Sequence, residues 1–194
     1  MTFADFFAAP SARQMADVML DLETMGTRPN APIVAVGAVA FDMHTLELGE
    51  RYYAVMDLAS SVALGSVIDA STVLWWLDQS DDARSSLTRG ARYAASDLLN
   101  DFSVWLTNFS TDRESRRVWG CGPDIDCVLL SEHYMKAGIE VPWRFWNQRC
   151  YRTVKNLYPN VEQDPRTGKH NAVEDAVFQA QHLFKIRRTL RGQA

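Results

Sequence analysis

Three short strings hold the residues able to do chemistry. Asp21-Leu22-Glu23 sets two carboxylates at positions i and i+2, and on a β-strand such residues point to the same side. Asp124 and Asp126 follow an apolar run, Val118-Trp119, that ends among glycines Gly120 and Gly122. His170 opens the string His170-Asn171-Ala172-Val173-Glu174-Asp175. Converging carboxylates suit hard divalent cations such as Mg²⁺ and Mn²⁺. Two such ions about 4 Å apart supply a nucleophile and neutralise charge at a reacting phosphodiester. A histidine beside them is suited to take a proton near neutral pH.

Each string also has a plainer reading. A DLE triplet alone reads as a solvated strand end. Against that stands the place of Asp21 directly behind Val18-Met19-Leu20, where a charge would lie near the core. Aspartates in a first helical turn commonly cap the helix. Asp124 and Asp126, two residues apart on one helix, point about 200° apart, so both cannot face one site. Asp124 follows Pro123 and is assigned to the cap. Asp126 borders the apolar side of Cys127 and Val128, where a charge needs a reason, and is assigned to the metals. Asn171 with Glu174 forms a capping-box variant, leaving His170 just outside a helix and Asp175 within its first turn. His170 taken alone reads equally as a polar loop residue.

Regular elements must bring these strings together. Val18 to Leu22, Pro32 to Phe41 and Glu47 to Met56 read as strands, the last two joined as a hairpin. Thr24 to Asn30 is a loop broken by Gly26, Pro29 and Asn30. Ser71 to Leu77 opens a helix carrying Trp75 and Trp76. Leu98, Leu99, Phe102, Trp105, Leu106 and Phe109 follow the 3.6-residue period of a helix from Ala95 to Phe109. Arg117 to Gly120 reads as a short strand, Asp124 to Ala137 as a helix stopped by Gly138, and a shorter helix starts near Arg152. Pro159 to Lys169 reads as a loop and Ala172 to about Leu190 as the last helix. This order predicts an α/β fold with a mixed central sheet flanked by helices. The acids fall at strand ends and helix starts, where open α/β sheets form ligand sites.

The 194 residues suit one domain, assigned to 15–194, with residues 1–14 as an N-terminal arm. A hydrophobic share of 47% and a charged share of 23% are those of an ordinary globular protein. A formal charge of −4 argues against a protein that coats nucleic acid through a global positive field. Cys121, Cys127 and Cys150 have no framework spacing and read as reduced thiols in a cytoplasmic setting. No apolar run reaches the ~20 residues a membrane span needs.

Together the three strings resemble the DEDD exonuclease superfamily in its DEDDh (DnaQ-like) branch, from Asp17 to about Leu190. Asp21-Leu22-Glu23-Thr24-Met25-Gly26, Leu74-Trp75-Trp76 with Gln79-Ser80, and Phe145-Trp146-Asn147-Gln148-Arg149 are similar to small phage and bacterial exodeoxyribonuclease VIII-like enzymes and exoribonucleases. The resemblance implies a ribonuclease H-like fold and removal of nucleoside 5′-monophosphates from nucleic-acid 3′ ends, with RNA, or both sugars, favoured over DNA alone. It implies two divalent cations held by Asp21, Glu23, Asp126 and Asp175, with His170 as general base. Thr24, Met25 and Trp75 are expected to border the terminal nucleotide; Trp75 and Trp76 are candidates to stack on a base, although paired tryptophans on a helix more often pack in the core. Arg149, Arg152 and Lys169 are candidate phosphate contacts. The expected partner is nucleic acid with a free 3′ end, with no membrane; a homodimer stays open. Two other readings are weaker. An aspartyl-nucleophile phosphatase would want a DxD and a matching lysine. A catalytically silent binding module of the same fold would be favoured had one of the five residues been lost.

Overall fold

A computed structural model describes residues 15–110, 112–122, 125–165 and 170–192. The expected arm, Asp124 and Lys169 lie outside these residues. Strands β1 (Asp17–Thr24), β2 (Ile33–Asp42) and β3 (Glu47–Met56) form an antiparallel meander. Three short strands join it in parallel: β4 (Arg92–Tyr93) on β3, β5 (Arg117–Gly120) on β1, and β6 (Gln148–Cys150) on β5. The result is a six-stranded mixed sheet in the order β4-β3-β2-β1-β5-β6.

Helices cover both faces. On one lie α4 (Ala95–Thr107) and α5 (Asp126–Lys136), and on the other α6 (Tyr151–Leu157) and α7 (Ala172–Gly192). The alternation of β1 sorts its side chains between them. Val18, Leu20 and Leu22 enter the core with Leu98, Phe102 and Leu130. Met19 packs against Ala176, Ala180 and Phe184 of α7. Asp21 and Glu23 share the face of Met19, at the end of β1 where α7 begins.

Gly37 explains why α7 can begin there. It pairs with Asp21 in the sheet, and a Cβ on it would overlap backbone atoms of Ala172 and Val173. A glycine inside a strand often marks such close approach. Gly37→Ala is expected to lower stability by about 1–3 kcal/mol, as overpacking does, measured by urea unfolding. An unchanged midpoint would mean that α7 does not need this contact.

Several short elements were not anticipated. Helices α1 (Leu58–Ala63) and α3 (Asp81–Ser86) lack an apolar period and start on side-chain caps, Asp57 and Ser80. The 3₁₀ turn Phe145–Asn147 and strands β4 and β6 are too brief to carry a pattern and form by pairing with neighbours. Helix α4 ends at Thr107, and α5 begins at Asp126 with Ile125 as an N-cap that makes no side-chain bond. Helix α2 (Ala70–Leu77) lies beside the end of β1, held by a hydrogen bond from Trp76 Nε1 to the Thr24 carbonyl at 3.0 Å.

Candidate active site

The end of β1 and the start of α7 build an acidic cluster. Ligand oxygens of Asp21, Glu23 and Asp175 all lie within 4.8 Å of one another. The first two come from one face of β1. The third comes from the first turn of α7, set down beside them at Gly37. Glu23 and Asp175 are buried, and Asp21 is half-buried.

The cap of α7 departs in part from expectation. Asn171 Oδ1 accepts the Glu174 amide at 3.3 Å, as a capping box requires. The Glu174 side chain does not reach back, because it pairs with Arg51 of β3 at 3.2 Å. Asp175 takes that role instead: its Oδ2 accepts the backbone amides of His170 at 3.0 Å and Asn171 at 3.2 Å. His170 adopts a left-handed backbone conformation, φ 64°, uncommon outside glycine. That twist presents both amides to one carboxylate. The His170 ring stands edge-on to Trp75, with centroids 4.8 Å apart and planes at 87°.

Asp126 is not among the three clustered acids. It is buried at the first position of α5, with Oδ2 accepting the Cys121 amide at 2.6 Å. Its carboxyl lies against Gly120, where a Cβ would come within 3.0 Å of Oδ2. Burial pushes its pKa up to about 6, against the opposing pull of the Cys121 and Leu22 amides and the Arg152 charge. Asp126 and Asp21 both act electrostatically on Cys121, so Asp126 flanks the cluster on the β5 side.

A cavity of about 500 Å³ opens beside the acids. Glu23, Thr24, Gly26, Thr72, Trp75 and Trp76 line it. The two tryptophans divide their roles: Trp76 is buried against β1, whereas Trp75 is 43% exposed. Met25 lines a separate apolar cavity with Val34, Met56 and Leu77. Its backbone bonds to Pro32 and Asp69 and so shapes the loop after β1. Arg152 donates to the Cys121 carbonyl at 2.6 Å, within electrostatic reach of Asp126. Arg149 donates to backbone carbonyls of Trp146 and Gln148.

Sequence reasoning missed Gln179, whose Nε2 donates to Asp21 Oδ1 at 2.7 Å. The available signal was its spacing of four from Asp175, which puts both on one helix face. Gly37 was missed likewise, although a lone glycine inside an apolar strand was the clue. The three cysteines are free thiols. Among the described residues no helix is long and apolar enough to cross a membrane.

The chemistry of the donors fits hard cations. Three carboxylates this close repel one another unless neutralised, and a fourth is buried alongside.

Residues 16–187 match the family model described as the Rv2179c-like 3′-5′ exoribonuclease domain. An exodeoxyribonuclease of Enterobacteria phage T4 is 24% identical in a 160-residue alignment that covers 72% of this chain and 70% of that protein. Cell-death related nuclease 4 superposes with a TM-score of 0.59 at 11% identity, over 93% of this chain. The chain spans 66% of that nuclease, just under two thirds of its length. The nuclease domain of 3′hExo, a DEDDh family member bound to rAMP, gives a TM-score of 0.56 at 13% identity, over 91% of this chain and 92% of that one. The fold is thus the ribonuclease H-like fold of these exonucleases.

Proposed function

The chain belongs to the Rv2179c-like 3′-5′ exoribonuclease domain family, and we propose on that premise that it is a DEDDh-type exonuclease in which Asp21, Glu23, Asp126 and Asp175 hold two divalent cations while His170 is the general base. The observation that carries the metal reading is the convergence of Asp21, Glu23 and Asp175 within 4.8 Å beside a cavity able to take a nucleotide. When bound, Mg²⁺ or Mn²⁺ supplies an acidified water and relieves the charge that builds at the reacting phosphate.

The protein's own residues do the rest. Asp175 holds the His170 and Asn171 amides, which fixes the histidine's loop next to the acids. His170 takes the proton of the attacking water. Trp75 keeps the imidazole upright from one side and offers its exposed face to the terminal base. Thr24 and the backbone around Met25 border that base's sugar. The product is a nucleoside 5′-monophosphate. RNA, or RNA and DNA together, is the favoured substrate.

The test uses end-labelled RNA and DNA with Mg²⁺ or Mn²⁺. A 5′-labelled strand should give a ladder, and a 3′-labelled strand should release labelled mononucleotide at once. Excess EDTA should stop both reactions. Full activity in EDTA, or fragments cut from a circular substrate, would refute the mechanism. A strong DNA preference in direct competition would reverse the sugar assignment alone.

A further inference from the structure

We infer that Gln179 is a positioning residue for the metal site, fixing the Asp21 carboxylate and offering its own carbonyl to a donor that belongs to the bound cation. The inference rests on the metal reading above and goes beyond the four acids and the histidine. Gln179 lies one helical turn after Asp175 on α7, so both side chains leave the same face of the helix. It is 7% exposed. Its Nε2 donates to Asp21 Oδ1 at 2.7 Å.

The direction of the amide is set by chemistry. An ionised carboxylate can only accept, so the nitrogen must face Asp21. The carbonyl Oε1 is then turned the other way. It is buried and has no hydrogen-bond partner among the described residues. Native proteins seldom leave a buried amide carbonyl without a donor. Had the position served packing alone, an apolar side chain would fill it without that penalty. Water from the hydration shell of a cation held at Asp21 is a donor of the required kind, because Mg²⁺ keeps several of its waters when protein-bound. Gln179 thus joins the β1 and α7 halves of the site by one direct bond and one acceptor reserved for the loaded state. Partners of this kind typically change metal affinity or activity 10–100-fold.

The experiment is calorimetric titration of Mn²⁺ into the wild-type chain and into Gln179→Met, an unbranched replacement of similar length. Melting curves in EDTA accompany it. The expected result is Mn²⁺ affinity weakened by about 10–100-fold, with a metal-free melting temperature equal to or above that of the wild type. Raising Mn²⁺ should recover much of kcat, since the acids and His170 remain. Equal Mn²⁺ affinity in the two proteins would overturn the inference. So would a lower metal-free melting temperature with unchanged affinity, which is the mark of packing alone. Failure of the wild type to bind Mn²⁺ would overturn this inference and the metal reading together.

Discussion

Asp126→Asn should nearly abolish cleavage while leaving the metal-free protein at least as stable as the wild type. The carboxyl is buried, and desolvation holds its pKa at about 6 instead of 3.8. An acid whose pKa is raised on folding binds its proton more tightly in the folded state. Its ionisation therefore destabilises the metal-free fold at pH 7, by roughly 3 kcal/mol. The penalty is absent below pH 3.8, grows as pH rises towards 6 and is complete above it. Asparagine keeps an oxygen for the Cys121 amide and removes the charge. The stability gap between variant and wild type in EDTA should thus be widest at pH 7 and close as pH falls to 4. Saturating Mg²⁺ should reverse the order, because the wild type alone gains a full set of ligands. A gap that does not change with pH would show that Asp126 is comfortably ionised without metal. Asp124→Asn should keep most activity, since the metal reading places Asp126 and not Asp124 among the ligands. If it is Asp124→Asn that kills cleavage, the fourth ligand has been assigned to the wrong aspartate.

Loss of the His170 imidazole should slow the chemical step by about 10²–10⁴-fold, the usual worth of general-base help. The better variant is His170→Asn rather than Ala. Position 170 is left-handed at φ 64°, and asparagine tolerates that conformation better than most residues. The backbone amide that Asp175 accepts is then retained, so cation affinity should hold while the single-turnover rate falls. The wild-type rate should climb with pH as the general base loses its proton and flatten once it is neutral, and the variant should lose that inflection. An unchanged single-turnover rate would make His170 a structural loop residue.

The acids were legible because their spacing matched the period of their element. Asp21 and Glu23 on one strand face follow from alternation alone, and β1 places them so. The long elements were legible for the same reason: the ranges of β3 and β5 agree with the pattern reading, and those of β2, α2 and α7 agree within two residues. Apart from β5, elements of two to six residues were not legible. A chain that short holds no period, and what stabilises β4 and β6 is a neighbouring strand brought from far away in the sequence. The Glu174 half of the capping box failed for a related reason, since Arg51 competes for that carboxylate across 123 residues of chain.

The amino-acid sequence by itself therefore determined which residue types are present in what local geometry: two acids on one strand face, an acid after a glycine-rich turn, and a histidine just ahead of a helix. Those are properties of spacing and backbone preference, which act within a few residues. Only the tertiary structure decided that α7 seats over Gly37 and so brings Asp175 to Asp21 and Glu23. It also decided that Asp126 leans on the Cys121 amide beside that cluster, and that Gln179 crosses to Asp21. These outcomes depend on close approach between segments more than 100 residues apart, with the exception of the local Asp126 bond. Burial, electrostatic repulsion and hydrogen-bond satisfaction set such contacts jointly, and no local pattern encodes them.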